Sequence, residues 1–408
     1  MIGADVNTLM KIFLVALVMA ACVFCSNDKA TSEVSSAGQP ELTEGDSENE
    51  IVADTADRDF GSFSAAANMT DARMDFVSLV LGNGDVLAAG GRGRGALVRP
   101  PRLATAEIFE VSTGQWKSVG EMSSKREILC GVTLSDGRAM IIGGADERRE
   151  NLKTTEILDA SSGGWIKGPK MKKKRYKHSC VILPDGKVMV AGGADIGVLN
   201  TAEIYDPSTD EFALIGEMNE VRSLFTLTVL SDGRILAAGG ASKNIQDTDA
   251  GFNLNSAEIW DPETGEWMMT SNMNEARALH TANLLEDGSV LAVGGLGTLT
   301  SAEIYDPSSN TWTPTNELSI GREGHTAHLL DNGTLIVVGG VSSVAETEIY
   351  DIESGQWSIG PSMAFGRHQH TSVKMNDGNV MVIGGQAETD DVDRREMSNQ
   401  IEIYSPGE

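Results

Sequence analysis

The sequence predicts an all-β protein, a seven-bladed β-propeller, because one pattern of turns and strands recurs seven times. Paired glycines return at intervals of 45 to 55 residues, each pair directly after an apolar stretch. An Asn-Gly or Asp-Gly dipeptide precedes that stretch, and a stretch containing a glutamate follows the glycines. Four short strands in each repeat of this length are typical of a propeller blade.

Each repeat begins with two strands joined by a tight turn. Asn-Gly and Asp-Gly tolerate the positive φ angles of two-residue hairpin turns, so each dipeptide connects two antiparallel strands. These dipeptides stand at 83–84, 136–137, 185–186, 232–233, 287–288, 332–333 and 377–378. The glycine pairs that end the second strands stand at 90–91, 143–144, 192–193, 239–240, 294–295, 339–340 and 384–385.

A third and a fourth strand complete each repeat. The third contains a glutamate in every copy: Glu107, Glu156, Glu203, Glu258, Glu303, Glu348 and Glu402. The fourth carries a large aromatic residue: Trp116, Trp165, Phe212, Trp267, Trp312 and Trp357. The seventh copy ends before a fourth strand, but Phe63, Met69 and Arg73, upstream of the first copy, repeat the spacing found before the other blades. We therefore expect the N-terminal strand to close the last blade.

These features together resemble the kelch motif, which combines paired glycines after an apolar strand with a Tyr and a Trp farther along. The resemblance covers the chain from Phe60 to the C terminus in seven consecutive copies. It implies a rigid disc whose loops bind a partner. It also brings two kinds of enzyme with a similar fold into consideration, the kelch-type sugar epimerases and galactose oxidase.

The N-terminal residues predict export. Lys11 precedes an apolar run at 12–21 that is too short to span a bilayer, and Cys22 follows it. Residues 19–22 resemble a bacterial lipobox, which implies a lipidated Cys22; a plain cleaved signal and an uncleaved anchor are the alternatives. We expect a signal peptide at 1–21, an acidic disordered tether at 22–59 and the propeller at 60–408. The expected location is the cell envelope, with membrane contact through the lipid anchor only, or secretion without lipidation.

The net charge of −27 limits the classes of partner. Nucleic-acid binding needs clustered Lys and Arg on a basic surface, so we expect no nucleic-acid partner. Basic residues nevertheless concentrate in one loop and one connection: Arg92, Arg94, Arg99 and Arg102, then Lys172, Lys173 and Lys174 with Tyr176. This pattern predicts an electropositive face through which a monomer binds a protein or an anionic glycan.

The long loops all emerge on the face opposite the Asp-Gly turns, because antiparallel strands alternate in direction. They lie at 92–103, 145–153, 241–255 and 386–399, and three of the four belong to blades seven, one and two, which are neighbours. Loops on a rigid scaffold are where recognition usually resides, so we expect the binding sector there. Carboxylates in two loops could hold calcium, although solvated charge explains them more simply: Asp247 with Asp249, and Asp390 with Asp391 and Asp393.

The ionisable residues that recur in every blade predict a structural role. They are the seven glutamates of the third strands together with Arg73, Arg126, Arg175, Arg222, Arg277, Arg322 and Arg367. A catalytic site for one substrate needs a unique constellation, whereas a sevenfold repetition needs only one structural solution. We therefore expect ion pairs or backbone hydrogen bonds, with no catalytic residue among them.

Histidine and cysteine do not predict a metal site. Four histidines follow a repeated arginine by three residues, where other blades carry Phe or Leu: His178, His280, His325 and His370. We expect them to pack near the axis, since no Cys or carboxylate joins them at zinc spacing. Cys130 and Cys180 lie on adjacent blades, and either a disulfide or two buried thiols is consistent with their positions.

The sequence thus predicts an exported kelch-repeat binding protein that needs no cofactor and performs no catalysis. The alternative is a periplasmic carbohydrate-active enzyme similar to the kelch-type sugar epimerases, which a central cavity with a unique carboxylate and histidine would favour. A copper radical oxidase is disfavoured, because four of the five tyrosines occupy the repeated third-strand position. Only Tyr176 lies outside the repeat.

Overall fold

The structure is a computed structural model of the chain, and it describes residues 59–95, 100–159, 163–243, 252–341, 344–388 and 395–407. The chain divides into two units, Met1–Thr55 and Ala56–Glu408. The predicted signal peptide, Cys22 and nearly all of the predicted tether lie outside the described residues. The propeller occupies the second unit.

In the described part of the chain, thirty β-strands form seven four-stranded sheets and one two-stranded sheet. The strands within each sheet pair antiparallel, and each four-stranded sheet is one blade. The prediction of an all-β, seven-bladed propeller is confirmed. First strands of neighbouring blades contact one another all the way around the ring.

The first strand of each blade lies at the axis: β2 (Val77–Val80), β6 (Cys130–Thr133), β10 (Ser179–Ile182), β14 (Thr226–Val229), β18 (Thr281–Leu284), β22 (Thr326–Leu329) and β26 (Thr371–Lys374). The second strands are β3 (Val86–Ala89), β7 (Ala139–Ile142), β11 (Val188–Ala191), β15 (Ile235–Ala238), β19 (Val290–Val293), β23 (Thr334–Val338) and β27 (Val380–Ile383). We number the blades 1 to 7 in the order of their first strands.

The third strands are β4 (Thr105–Glu110), β8 (Thr155–Asp159), β12 (Ala202–Asp206), β16 (Ala257–Trp260), β20 (Ala302–Asp306), β24 (Glu346–Asp351) and β30 (Ile401–Ser405). The fourth, outer strands are β5 (Gln115–Glu121), β9 (Gly164–Lys167), β13 (Glu211–Leu214), β17 (Trp267–Met269), β21 (Thr311–Pro314), β25 (Gln356–Ser362) and β1 (Ser62–Ala66). A two-stranded hairpin, β28 (Gln386–Glu388) with β29 (Arg395–Met397), interrupts blade 7 between its second and third strands.

The N-terminal strand closes the ring, as predicted. β1 pairs antiparallel with β30, and the register places Phe63 opposite Tyr404. The two rings lie 5.3 Å apart, centroid to centroid, which matches the aromatic pairs of other blades. The hydroxyl of Tyr404 also donates to the carbonyl of Phe60 at 2.6 Å. Strand pairing, ring packing and this hydrogen bond therefore fasten the two ends of the propeller together.

The hydrophobic core lies between neighbouring blades. The second strands are fully buried in nearly every position, because each face of a second strand packs against an adjacent sheet. In one cluster, Leu87 of blade 1 packs with Ile141 of blade 2, and Met122 from the connection between them joins the same cluster. Outer strands are more exposed and alternate between buried and solvent-facing side chains. No blade can therefore bury its apolar surface without two neighbours.

The paired glycines allow blades to approach at backbone distance. In blade 2, Gly143 has φ +59, and a Cβ there would lie 2.6 Å from the carbonyl oxygen of Arg175. Gly144 has φ +92, and its N–H donates to that same carbonyl at 2.9 Å. A side chain at either place would be strained by its φ angle and would separate blade 2 from blade 3.

The repeated arginines are fully buried and bind backbone carbonyls. In all seven blades the Nη1 group donates to the carbonyl of the first glycine of the pair, at 2.7 to 3.1 Å. The carbonyl of each arginine in turn accepts from the second glycine of the preceding blade, at 2.8 to 2.9 Å. Gly385 donates to Arg73 in this way, so the pattern continues across the closure.

The repeated glutamates hold the connections between blades. Glu203 of blade 3 accepts from Arg175 Nη2 at 2.9 Å. Its carboxylate also accepts from the backbone N–H groups of Lys172 at 2.6 Å and Lys173 at 3.0 Å, in the connection from blade 2. Burial lowers the pKa of Arg175, and the charge of Glu203 opposes that change. The carboxylate thus satisfies a buried guanidinium and two backbone donors at once.

We predict that closure depends on residues 60–69 and not on the residues before them. Removing residues 1–58 should leave the melting temperature nearly unchanged, whereas removing 1–69 deletes β1 and exposes the edge of β30. Loss of one buried aromatic typically costs about 3 to 5 kcal/mol, against a total domain stability of about 5 to 15 kcal/mol. The second truncation should therefore unfold or aggregate. Equal melting temperatures for the two truncations would contradict this closure.

Glu203→Gln should strongly destabilise the propeller, because Arg175 would keep its buried charge without a counter-charge. Removing one partner of a buried pair typically costs about 3 to 5 kcal/mol, and urea denaturation would measure the loss. Glu211→Gln is the matched control, since Glu211 is exposed on the outer strand β13 and should shift stability by less than about 0.5 kcal/mol. Similar losses for both variants would show that the buried pair has no special role.

Candidate binding face

The propeller has two unlike faces. The turn face carries the seven Asn-Gly or Asp-Gly turns between first and second strands. The loop face carries the connections between blades and the loops between second and third strands. Every sequence-predicted binding residue that the structure describes lies on the loop face, because each belongs to one of these connections or loops.

A ring of left-handed residues surrounds the axis on the loop face, and we call it the collar. Each member follows a repeated arginine by two residues: Asp75, Ile128, Lys177, Leu224, Leu279, Gly324 and Gln369. Their φ angles are all between 49 and 59 degrees. Such angles are costly for side-chain-bearing residues and most of all for β-branched ones such as Ile128.

Hydrogen bonds between blades hold the collar in this conformation. Among the described residues, six collar N–H groups donate to the collar carbonyl of the preceding blade, at 2.9 to 3.4 Å. Asp75, for example, donates to Gln369 across the closure. Sequence reasoning missed the collar because its residue types differ in almost every blade, and only the spacing from the arginine could have located it.

Below the collar, the first strands line a cavity of about 420 Å³ along the axis. Its lining includes hydroxyl, amide and imidazole groups from blades 3 to 7, such as Ser179, Thr281, Asn283 and His328. His328 Nε2 lies 2.6 Å from the hydroxyl of Ser372, between blades 6 and 7. The lining therefore mixes polar groups with apolar residues such as Leu227 and Ala327, and it contains no Asp, Glu, Lys or Arg.

The four predicted axial histidines are buried between blades. His280, His325 and His370 each place Nε2 3.0 to 3.3 Å from a threonine hydroxyl of the preceding blade. Burial and, to a smaller extent, the charge of the neighbouring repeated arginine together lower the pKa of His325 and of His178 to about 3. These imidazoles are therefore neutral at ordinary pH, and those of His280, His325 and His370 link neighbouring first strands.

Cys130 and Cys180 form a disulfide, with their Cα atoms 6.2 Å apart. Cys130 occupies the position at which Thr226 and its counterparts bind histidine in later blades, so a covalent bond joins blades 2 and 3 at the axis. Disulfides persist in oxidising compartments such as the periplasm or the cell exterior. In the portion of the chain that the structure describes, there is no helix long and apolar enough to cross a membrane.

Two of the predicted binding arginines form internal ion pairs. Arg92 contacts Glu127, and its Nη2 lies 2.9 Å from Asp75 Oδ2. Arg102 Nε donates to Glu127 at 2.9 Å. Burial raises the pKa of Asp75 to about 6, although Arg92 opposes the change. Arg92 and Arg102 consequently bring little uncompensated positive charge to the loop face.

Arg94 joins the loops of two neighbouring blades. It is exposed in the loop of blade 1, and its Nε donates to the carbonyl of Met397 in the blade 7 hairpin at 3.2 Å. Arg99 lies outside the described residues, as do the candidate calcium carboxylates at 247, 249, 390, 391 and 393. The predicted sector of blades 7 and 1 is thus a continuous surface where it is described.

The lysine cluster lies farther around the face, in the connection from blade 2 to blade 3. Lys172, Lys173 and Lys174 are all exposed. Tyr176 is half-buried, its backbone pairs with Ala194, and the ammonium of Lys177 lies 5.3 Å from the centre of its ring. Charged lysine heads therefore project from a connection whose backbone is fixed.

Comparison with known proteins supports the interpretation of the repeat as a kelch motif. A family model for the kelch motif matches residues 225–274 and 325–364. The chain is a β-propeller that carries kelch motifs. No curated protein sequence matches it. Among solved structures it resembles a fungal alcohol oxidase of the AA5 family in complex with copper, at 17% identity and a TM-score of 0.69, over 85% of this chain and 77% of the oxidase.

This likeness concerns the fold alone, and the described residues of this kelch propeller do not fit a copper centre built from Tyr, Cys and His. Four tyrosines occupy third-strand positions: Tyr205, Tyr305, Tyr350 and Tyr404. Both described cysteines are bonded to each other. No group of three or more His, Cys, Asp or Glu within the described ranges could hold a metal ion.

We predict that acid destabilises the propeller through its buried histidines. The folded-state pKa of His178 and of His325 is about 3, and burial also lowers the pKa of His280 and of His370, whereas an unfolded histidine has a pKa of about 6.5. Stability therefore falls as pH drops below about 6.5. Each such residue should cost about 2 kcal/mol at pH 5 relative to pH 7. Urea denaturation at the two pH values would measure this loss.

The chain supplies a matched pair of variants for this prediction. Phe225 occupies in blade 4 the place of His178 in blade 3. His178→Phe should therefore reduce the acid sensitivity, and Phe225→His should increase it. An unchanged difference between pH 7 and pH 5 in both variants would refute the prediction.

Proposed function

We propose that this kelch propeller is an exported binding protein, anchored through a lipid on Cys22, that presents its loop face to a protein or an anionic glycan. The observation that carries the proposal is the contact between loops of neighbouring blades. Arg94 ties the blade 1 loop to the blade 7 hairpin, and Arg92 with Arg102 ties it to Glu127 at the entrance of blade 2. Three blades thereby support one surface.

The internal organisation of the blades supports binding over catalysis. The buried arginines and glutamates recur in every blade and are used in contacts between strands and connections. Recognition by loops requires only that such a scaffold be rigid. The Cys130–Cys180 disulfide fits the proposed export, since such bonds are rare in reducing compartments.

One observation favours the alternative, a carbohydrate-active enzyme similar to the kelch-type sugar epimerases. Asp75 is the collar's only carboxylate, and its pKa of about 6 suits a general acid or base. The axial cavity, which Asp75 does not line, includes His328 and Asn283, whose side chains could bind sugar hydroxyls. Asp75 contacts Arg92, however, and this contact explains the carboxylate as part of the loop framework.

The proposal can be tested with a panel of immobilised glycans and cell-envelope proteins. We expect Arg94→Ala to weaken binding of the selected partner by about tenfold, because an exposed charge and the link between two loops are lost together. Arg138→Ala on the turn face is the matched control and should bind normally, since Arg138 pairs with Asp136 beside its own turn. Binding should also weaken with salt.

Two results would overturn the proposal. One is a partner whose binding is unaffected by salt and equally affected by the two arginine variants. The other is turnover of a sugar that Asp75→Asn abolishes while binding of every panel member is absent, which would establish the enzyme instead.

A further inference from the structure

A cluster of seven exposed basic side chains lies on the loop face of blades 2 and 3. We call it the lysine patch, and it consists of Arg148, Arg149, Lys153, Lys170, Lys172, Lys173 and Lys174, all exposed. Backbone hydrogen bonds unite its two segments: Met171 donates to Lys153 at 2.9 Å, and Arg175 donates to Leu152 at 3.0 Å. The patch is therefore a single surface with a fixed backbone.

The positive charge of this patch is largely uncompensated. Within the described residues, the side chains of Lys172, Lys173 and Lys174 form no ion pair. Nearby carboxylates are fewer than the cations and are partly engaged: Glu147 pairs with Lys125 at 2.9 Å, and Asp146 accepts backbone N–H groups of its own loop. Only Glu150 is an exposed acid of that loop without such a contact.

The turn face has the opposite character. Its basic side chains are neutralised beside their own turns, where Arg138 pairs with Asp136, Lys187 with Asp185 and Arg234 with Asp232. Glu263, Glu286 and Glu353 are exposed at the turns of that face and form no ion pair among the described residues, which makes the face acidic. The disc is therefore electrically polarised, with its cationic patch on one face only.

An aliphatic side chain projects beside the lysine patch. Ile196 is 101% exposed at the tip of the short loop that follows the glycine pair of blade 3. This loop adjoins the patch, because Ala194 pairs with Tyr176 and the side chain of Asn151 donates to the carbonyl of Asp195 at 3.3 Å. The half-buried Asp195 precedes the tip and accepts from Asn151, and Gly197 and the half-buried Val198 follow it, so Ile196 is the side chain that projects.

We propose that the lysine patch and Ile196 dock the propeller directly onto an anionic lipid bilayer. Lysines near an anionic membrane are attracted to its headgroups, and a neighbouring aliphatic side chain can enter the interface. A projecting aliphatic tip suits the apolar interface of a bilayer, whereas a hydrated acidic glycan offers Ile196 little apolar surface. The acidic turn face would be repelled from the same membrane, which fixes the orientation of the disc.

This docking is a second membrane contact, additional to the lipid expected on Cys22. It shares the loop at 145–153 with the predicted partner sector, but it uses none of Arg92, Arg94 and Arg102, which carry the partner proposal. A partner screen that finds no binding would not argue against membrane docking. Absence of vesicle binding would not argue against the proposed partner.

The test uses the full chain carrying Cys22→Ser, so that no lipid anchor contributes. Flotation with phosphatidylcholine vesicles measures what the N-terminal apolar run contributes, and vesicles with about one third phosphatidylglycerol measure the added effect of anionic lipid. We expect binding to the anionic vesicles to be stronger and to fall with salt. Thermal melting would verify that every variant is folded.

Substitutions on the two faces identify the residues that bind anionic vesicles. Lys172→Gln, Lys173→Gln and Lys174→Gln together should reduce anionic-vesicle binding by on the order of 100-fold, since each lysine contributes about fivefold. The matched control makes the same charge change on the turn face, with Arg138→Gln, Lys187→Gln and Arg234→Gln, and should bind normally. Ile196→Ser should reduce binding several-fold and leave its salt dependence unchanged.

Three results would overturn the proposal. One is equal binding to neutral and anionic vesicles, and another is an equal loss of binding in the two triple variants. Alternatively, the lysines could matter for a soluble polyanion such as polyglutamate as much as for vesicles while Ile196→Ser has no effect, which would assign the patch to an acidic macromolecule.

Discussion

One buried arginine in each blade is the contact on which the rest of the disc depends. Its guanidinium binds the carbonyl of a glycine in its own blade, and its carbonyl accepts from a glycine of the preceding blade. Because both interactions involve the backbone, they fix the distance between neighbouring sheets. The repeated glutamate supplies the counter-charge and also holds the connection that enters the blade.

The contacts of the repeated arginines and glutamates do not constrain the side chains of the collar residues. Their backbone is strained and hydrogen-bonded, but residues as different as Asp75, Ile128 and Lys177 occupy equivalent places. Features that occur once in the described molecule, including the carboxylate of Asp75 and the Cys130–Cys180 disulfide, therefore concentrate at or near the axis and the loop face. The repeated scaffold can present a different surface in each blade, because repeated arginines, glutamates and backbone groups hold the scaffold, whereas loop and collar side chains form the surface.

The net charge of the chain does not show how charge is distributed between the two faces of the propeller. The chain is strongly acidic as a whole, yet the basic residues of the turn face are locally paired while Lys172, Lys173 and Lys174 are exposed on the loop face. The arginines that resemble these lysines in sequence have another role, since Arg92 and Arg102 compensate the buried carboxylate of Glu127. Neighbouring carboxylates thus determine whether a basic residue forms an internal ion pair or leaves its charge exposed to solvent.

The sequence by itself determined the fold class, the number of blades and the closing strand, because each rests on spacings that local chemistry dictates: hairpin dipeptides, glycine pairs and aromatic residues opposite one another. It also located the loop face. Only the tertiary structure decided that Cys130 and Cys180 are bonded, that Asp75 meets Arg92, and that Ile196 projects beside the lysines. The disulfide joins two blades, whereas Asp75 and Arg92 come from separate connections of blade 1, so each contact depends on three-dimensional packing that the repeat pattern does not specify.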